Sequence, residues 1–159
     1  MAPGSRDDNR RGRSRSTVIR RAIAATAALI FLCGSAEPSF VDVSVAGLRS
    51  DRGTLRACMT RAPAHFPDCS GDPNATTSSV PAGAKFIRFA SVPQGNWALS
   101  VLHDENGNGK LDKFLGVPKE GIAFSRNPTL LMGPPAFKSV SMAVGPDGVR
   151  AQVKVQYLL

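Results

Sequence analysis

"VRAQVKVQYLL" (Val149–Leu159) closes the chain with the period of a β-strand. Val149, Ala151, Val153, Val155 and Tyr157 fall on one face, and Arg150, Gln152, Lys154 and Gln156 on the other. Strict alternation of this kind marks a strand buried on one side, because successive side chains leave opposite faces. The same pattern recurs upstream. "FVDVSVAGL" (Phe40–Leu48) sets Val41, Val43 and Val45 against Asp42 and Ser44, and "GTLRACMT" (Gly53–Thr60) puts Leu55, Ala57 and Met59 on a common face. The turn-rich "LRSDRG" between these two predicts a β-hairpin. "AKFIRFASV" and "NWALSVLH" follow, parted by "PQG", with Trp97, Leu99 and Val101 alternating with Ala98 and Ser100. "FKSVSMAV" reads as a further strand, joined to the last by "GPDG".

No segment after residue 37 holds a helical period. Short strands punctuated by turn signals predict an all-β fold, a two-layer antiparallel β-sandwich spanning residues 37–159. Residues 61–83, poor in large apolar side chains, are expected to form a long loop. The irregular "KFLGVPKEGIAFSRNPTLLMGPPA" (Lys113–Ala136) carries Phe114, Leu115, Val117, Ile122, Phe124, Leu130, Leu131 and Met132, and that apolar content predicts that it folds back on the sheet. "GPPAF" reads as a rigid lead into a strand, with Pro134 and Pro135 fixing φ.

The formal net charge of +8 over 159 residues is unevenly placed. Residues 1–36 hold seven Arg against two Asp, and the rest hold 13 Lys or Arg against ten Asp or Glu. Without a basic face beyond residue 36, no nucleic-acid partner is expected. The leader has the three parts of a secretory signal peptide over residues 1–36: a positive stretch ending at Arg21, the apolar run Ala22–Leu32, and small residues to Ala36. The apolar run is too short for a spanning helix, so no transmembrane span is expected in the mature chain, which would begin at Glu37 and reside in the periplasm or outside the cell. "IRRAIA" leaves a twin-arginine route open beside the general one, and Cys33 is the residue through which a lipid anchor would be attached.

Cys58 and Cys69 are then the cysteines of the mature chain, and an even pair in an exported domain predicts a disulfide closing "CMTRAPAHFPDC". A metal site built from these cysteines and His65 lacks the short cysteine spacing of zinc sites.

The chemistry-bearing stretch is "HDENGNGKLD" (His103–Asp112). Calcium loops place oxygen ligands at positions 1, 3 and 5, glycine at 6, a backbone carbonyl at 7 and often a ligand at 9. Asp104, Asn106 and Asn108 occupy 1, 3 and 5, Gly109 occupies 6, Lys110 offers the carbonyl at 7, and Asp112 stands at 9. Leu115 stands where a bidentate Glu normally closes the shell, and Glu120 is the candidate to replace it. Glu105 points away from the ion in this arrangement. The competing reading is a plain polar turn, since Asn-Gly is a strong hairpin signal.

With these segments on the page, the order "VPQGNWALSVLHDENGNGKLD", "GVPKEGIAFS", "GPPAFKSVSMAV", an opening strand and "CMTRAPAHFPDC" resembles the DUF2141 family of small exported bacterial proteins, over about Phe40 to Tyr157. The resemblance implies a β-sandwich of immunoglobulin or prealbumin type with no established biochemical activity. Where that family tends to carry an aromatic and a glycine before "FS", this chain has Ile122 and Ala123.

The expected function is therefore an exported binding or structural module with a calcium-stabilised loop, an envelope or extracellular ligand of unidentified kind, and no catalytic residues. The alternative is a metal-assisted hydrolase using His103 and the same loop, with Ser125 as nucleophile. His103 and Asp104 are adjacent on a strand and so face opposite ways. Arg49, Arg52, Arg56 and Arg61 are expected to form a solvated face.

Overall fold

The computed structural model describes residues 39–131 and 133–159. The expected signal peptide over residues 1–36 and Cys33 lie outside the described residues. Among the described residues no helix is long and apolar enough to cross a membrane.

The chain forms an all-β sandwich. One layer has three strands in the order β10(Val149–Lys154), β1(Ser39–Ala46), β4(Phe86–Val92). The other has the order β3(Thr76–Pro81), β2(Thr54–Thr60), β5(Gly95–Asp104), β8(Gly121–Phe124), with β9(Met142–Val144) pairing the start of β5. A small hairpin of β6(Lys113–Phe114) and β7(Val117–Pro118) forms within the loop region. The alternation read from the sequence sets the core directly. Val41, Val43, Leu55, Met59, Leu99 and Val153 are fully buried between the layers, with Trp97 and Val101 almost so. At roughly 1.5–3 kcal/mol for each large apolar side chain, this core is the dominant stabilising term.

Three expectations about connectivity need correction. β1 and β2 do not pair as a hairpin: β1 lies in one layer and β2 in the other, so residues 47–53 cross between layers. Two half-buried strands can bury their apolar faces side by side or across a sandwich, and alternation does not distinguish the two. The layers are also not wholly antiparallel, because β10 runs parallel to β1, Val43 opposite Ala151. Finally, residues 61–83 are not all loop. β3 pairs antiparallel with β2, Cys58 opposite Thr77. Its Thr and Ser residues suit a half-exposed edge strand, and Pro81 ends it where no ladder donor is required.

A second, smaller core covers the outer side of β5. Ala98, Phe124, Leu130 and Val140 are buried there with Phe66 and Phe137 beside them. The irregular segment thus folds back on the sheet in its second half. In its first half it does not, since Phe114 and Leu115 stay 59% and 89% exposed. Phe137–Val140 forms one helical turn instead of a strand. The Ser139 and Ser141 hydroxyls donate to the Ala136 and Phe137 carbonyls at 2.7 and 2.9 Å, satisfying the turn locally while Val140 packs inward. Ser125 joins this cover to the sheet: its hydroxyl donates to the Val140 carbonyl at 2.5 Å and accepts from the Leu99 N–H at 3.1 Å.

The two layers are fastened along one side. Ile122 and Gln156 exchange backbone hydrogen bonds at 3.0 and 2.8 Å. Asn127 extends the ladder, its amide donating to Gln152 O at 2.8 Å and accepting from Lys154 N–H at 2.6 Å. Within the other layer, Cys58 of β2 forms a disulfide with Cys69 at a Cα–Cα separation of 6.1 Å.

Candidate functional site

β5 delivers Asp104 to the end of the sandwich as its last residue, and β8 begins just after Glu120, so the loop 105–119 returns to the sheet it left. Asp104 is fully buried. Its Oδ1 accepts the backbone N–H groups of Gly107 and Asn108 at 2.8 and 3.1 Å, and its Oδ2 accepts that of Gly109 at 2.8 Å. Three consecutive N–H groups directed at one carboxylate make a charge-assisted cradle that curls the chain round the Asp104 side chain. Gly107 and Gly109 adopt φ of 74° and 78°, the left-handed backbone this curl needs. The amides of Asn106 and Asn108 tighten it further. Asn106 Oδ1 accepts Asn108 N–H at 3.0 Å, and Asn108 Oδ1 accepts Lys110 N–H at 2.8 Å.

The other ends of those two amides meet at Asp112. Asn106 Nδ2 and Asn108 Nδ2 donate to the same Asp112 Oδ2 at 2.7 and 3.1 Å. Glu120 is buried too, and its two oxygens accept the N–H of Glu105 at 3.1 Å and of Asp112 at 3.1 Å. Its role in the structure is to clamp the two ends of the loop to the start of β8. Asp104, Asn106, Asn108, Asp112 and Glu120 therefore belong to one hydrogen-bonded unit, with the Lys110 backbone held inside it. Among the described residues no group of three or more His, Cys, Asp and Glu side chains is placed to hold a metal. The loop's own donors are two carboxylates, two amides and a carbonyl.

A second cluster braces the loop from outside, and sequence reasoning missed it. Arg49, expected on a solvated face, donates from Nε and Nη2 to Glu105 Oε2 at 3.0 and 2.5 Å, and to the Lys119 and Leu159 carbonyls at 3.0 and 3.1 Å. Its guanidinium lies 4.4 Å from the centroid of the Tyr157 ring. Ser50 Oγ donates to Glu105 Oε1 at 2.9 Å, so both oxygens of Glu105 are engaged. The Arg49 hydrogen bond holds the Glu105 carboxyl below the usual carboxylate range, against a smaller opposing effect of burial. Arg61 likewise stacks over the Trp97 ring, 5.1 Å from its centroid, while Arg52 and Arg56 are exposed as expected. The partners of Arg49 are 56 to 110 residues away, and no local pattern signals them.

His103 points the other way from Asp104, as strand alternation requires. It is fully buried, with Nδ1 2.6 Å from the Tyr157 hydroxyl and Nε2 2.8 Å from the Arg52 carbonyl. A carbonyl only accepts, so in the neutral ring Nε2 carries the proton and Nδ1 receives the Tyr157 hydroxyl. Burial pushes the Tyr157 phenol up, which keeps that donor protonated. Both ring nitrogens are committed to holding the 47–53 crossing and the chain's end together. Ser125 is committed to Leu99 and Val140, and His65 Nδ1 sits 2.6 Å from the carbonyl of Ser70, the residue after Cys69.

Fold and site together define a disulfide-bonded, all-β sandwich with a polar loop closed on a buried aspartate. A family model described as "Uncharacterized protein conserved in bacteria (DUF2141)" matches residues 43–152, and the chain belongs to this family. No curated protein and no solved structure matches the chain. The match begins in β1 and ends in β10, and so takes in both layers, the disulfide and the Asp104–Asp112 loop.

Proposed function

We propose that the protein is an exported structural or binding module of the periplasm or cell exterior, without chemistry of its own, whose Asp104–Asp112 loop takes up calcium. The observation that carries the reading is the state of the loop oxygens. Asp104 Oδ2, Asp112 Oδ1, Asn106 Oδ1 and Asn108 Oδ1 each keep a lone pair that the loop's own hydrogen bonds do not use. The two amide N–H groups now sharing Asp112 Oδ2 supply the positive partial charge that a cation would supply instead. Hard oxygen donors of this kind select calcium over softer metals. Glu120 holds the loop ends in register for the ion.

The loop offers calcium two carboxylates, Asp104 and Asp112, so binding is weak, with Kd of about 10⁻⁴ to 10⁻³ M. At 10 mM calcium, about 10 to 100 times that Kd, stabilisation is about 1.4 to 2.7 kcal/mol, a melting shift of several degrees. The same concentration of magnesium gives less, because magnesium demands a tighter octahedral shell. Asp112→Ala leaves the Asp104 cradle in place and abolishes the calcium shift. An unshifted melt in the parent protein, or an equal shift in Asp112→Ala, refutes calcium uptake and leaves a self-sufficient turn.

The metal-assisted hydrolase is the weaker reading, because His103 and Ser125 are spent on packing contacts and Asp104 turns away from His103. The lipid anchor at Cys33 is separable by mass: a lipidated chain starts at Cys33, and simple processing leaves Glu37.

A further inference from the structure

The hairpin after the loop presents its apolar residues to solvent. β6 and β7 pair Phe114 with Val117, which puts both on one face, and Leu115–Gly116 makes the turn. Phe114 is 59%, Leu115 89% and Val117 36% exposed. Leu115 also holds φ at 49°, and Gly116 at 84°, so a bulky apolar residue occupies a left-handed turn position that Asn or Gly normally fills. Core packing does not account for Leu115, since it touches neither buried cluster. Turn propensity does not account for it either. Three lysines surround this tip in the chain, Lys110, Lys113 and Lys119, all exposed and none in an ion pair among the described residues.

An exposed apolar tip flanked in the chain by lysines free of ion pairs is complementary to one kind of surface, an apolar layer beneath anionic head groups. From this geometry we infer that the β6–β7 hairpin inserts Phe114 and Leu115 into the interface of an anionic lipid bilayer, while Lys113 and Lys119 meet the lipid phosphates. Arg49 neutralises Glu105, and the charge left on Asp112 is outnumbered by Lys110, Lys113 and Lys119. The inference rests on the hairpin alone and stands whether or not the loop takes up calcium.

The test is cosedimentation of residues 37–159, which contain both core clusters, with vesicles of phosphatidylglycerol and phosphatidylcholine or of phosphatidylcholine alone. Binding to the anionic vesicles that falls as salt is raised, with at least tenfold weaker binding to the neutral ones, is the expected result. Phe114→Ser with Leu115→Asn, a turn residue better suited to this backbone, should lower binding by about a hundredfold. Lys113→Ala with Lys119→Ala should lower it by about thirtyfold. Both variants alter only exposed side chains and keep the parent melting temperature, so lost binding reads the surface and not the fold. No binding to anionic vesicles, or undiminished binding by the Phe114/Leu115 variant, overturns the inference. Lysine-dependent sedimentation with soluble anionic polymer but not with vesicles overturns it equally.

Discussion

A methyl group placed on Gly53 would land 2.1 Å from the Asp104 carbonyl oxygen and 2.7 Å from Glu105 Cα. Gly53 also holds φ at 74°. The crossing between layers therefore rests directly on the base of the polar loop, at a backbone conformation that disfavours any side chain. Gly53→Ala is predicted to cost about 3 kcal/mol or more, adding backbone strain to overpacking, and chemical denaturation measures it. Residues such as Asp104 were legible in advance, because a carboxylate before a glycine-rich turn has a local pattern. Its curling function reads equally as ligand spacing and as hydrogen-bond spacing, and only coordinates show which N–H groups it receives. Arg49 was not legible, because its value lies in Glu105, Lys119, Tyr157 and Leu159, all remote in the chain.

At the scale of elements, alternation located β1, β2, β4, β5 and β10, and these strands supply nearly all of the main core. It failed for β3, for β8 inside the segment read as irregular, and for the Phe137–Val140 turn. β3 is an edge strand of Thr and Ser with one intermediate Val, so its pairing with β2 comes from backbone ladders and has no hydrophobic signature. The Phe137–Val140 segment serves the second core, whose members arrive from four separate stretches. The disulfide is the element-scale feature that sequence alone placed, from an even cysteine pair in a domain expected to be exported. It ties the loop carrying Phe66 to β2, and Ser100 Oγ donates to the Pro67 carbonyl of that loop. Replacing Cys58 and Cys69 together by Ser is predicted to lower stability by about 3 kcal/mol in the chain-entropy account, with the strands retained, as read by denaturant melts and far-ultraviolet circular dichroism.

For the whole molecule, the period of the strands predicted the all-β sandwich, but the order of the strands in each layer was not legible. Parallel pairing of β1 with β10 joins the two ends of the described domain, and nothing local to either strand announces it. The electrostatic ties act at this scale as well. Arg88 chelates Asp42 across β1 and β4 at 2.7 and 2.8 Å and lowers the Asp42 carboxyl, as Arg49 lowers Glu105. A carboxyl depressed in the folded state adds stability above its unfolded value, which is lost as pH falls through the folded one. The protein should therefore lose stability progressively below about pH 4. Tyr157 has the opposite sign: its raised phenol favours the folded state up to about pH 10 and loses that advantage above it. A melting-temperature profile with both limbs checks the pair, and Tyr157→Phe should flatten the alkaline one.

The central claim is that the buried Asp104 carboxylate gathers the loop and that calcium completes what it begins. Amide hydrogen exchange, read residue by residue in calcium-free and calcium-loaded protein, tests it most directly. The account predicts that Gly107, Asn108 and Gly109 are already protected without calcium, and that calcium slows exchange further in the Asp104–Asp112 loop. Fast exchange at those three amides without calcium, or no slowing anywhere in the loop when calcium is added, would contradict it.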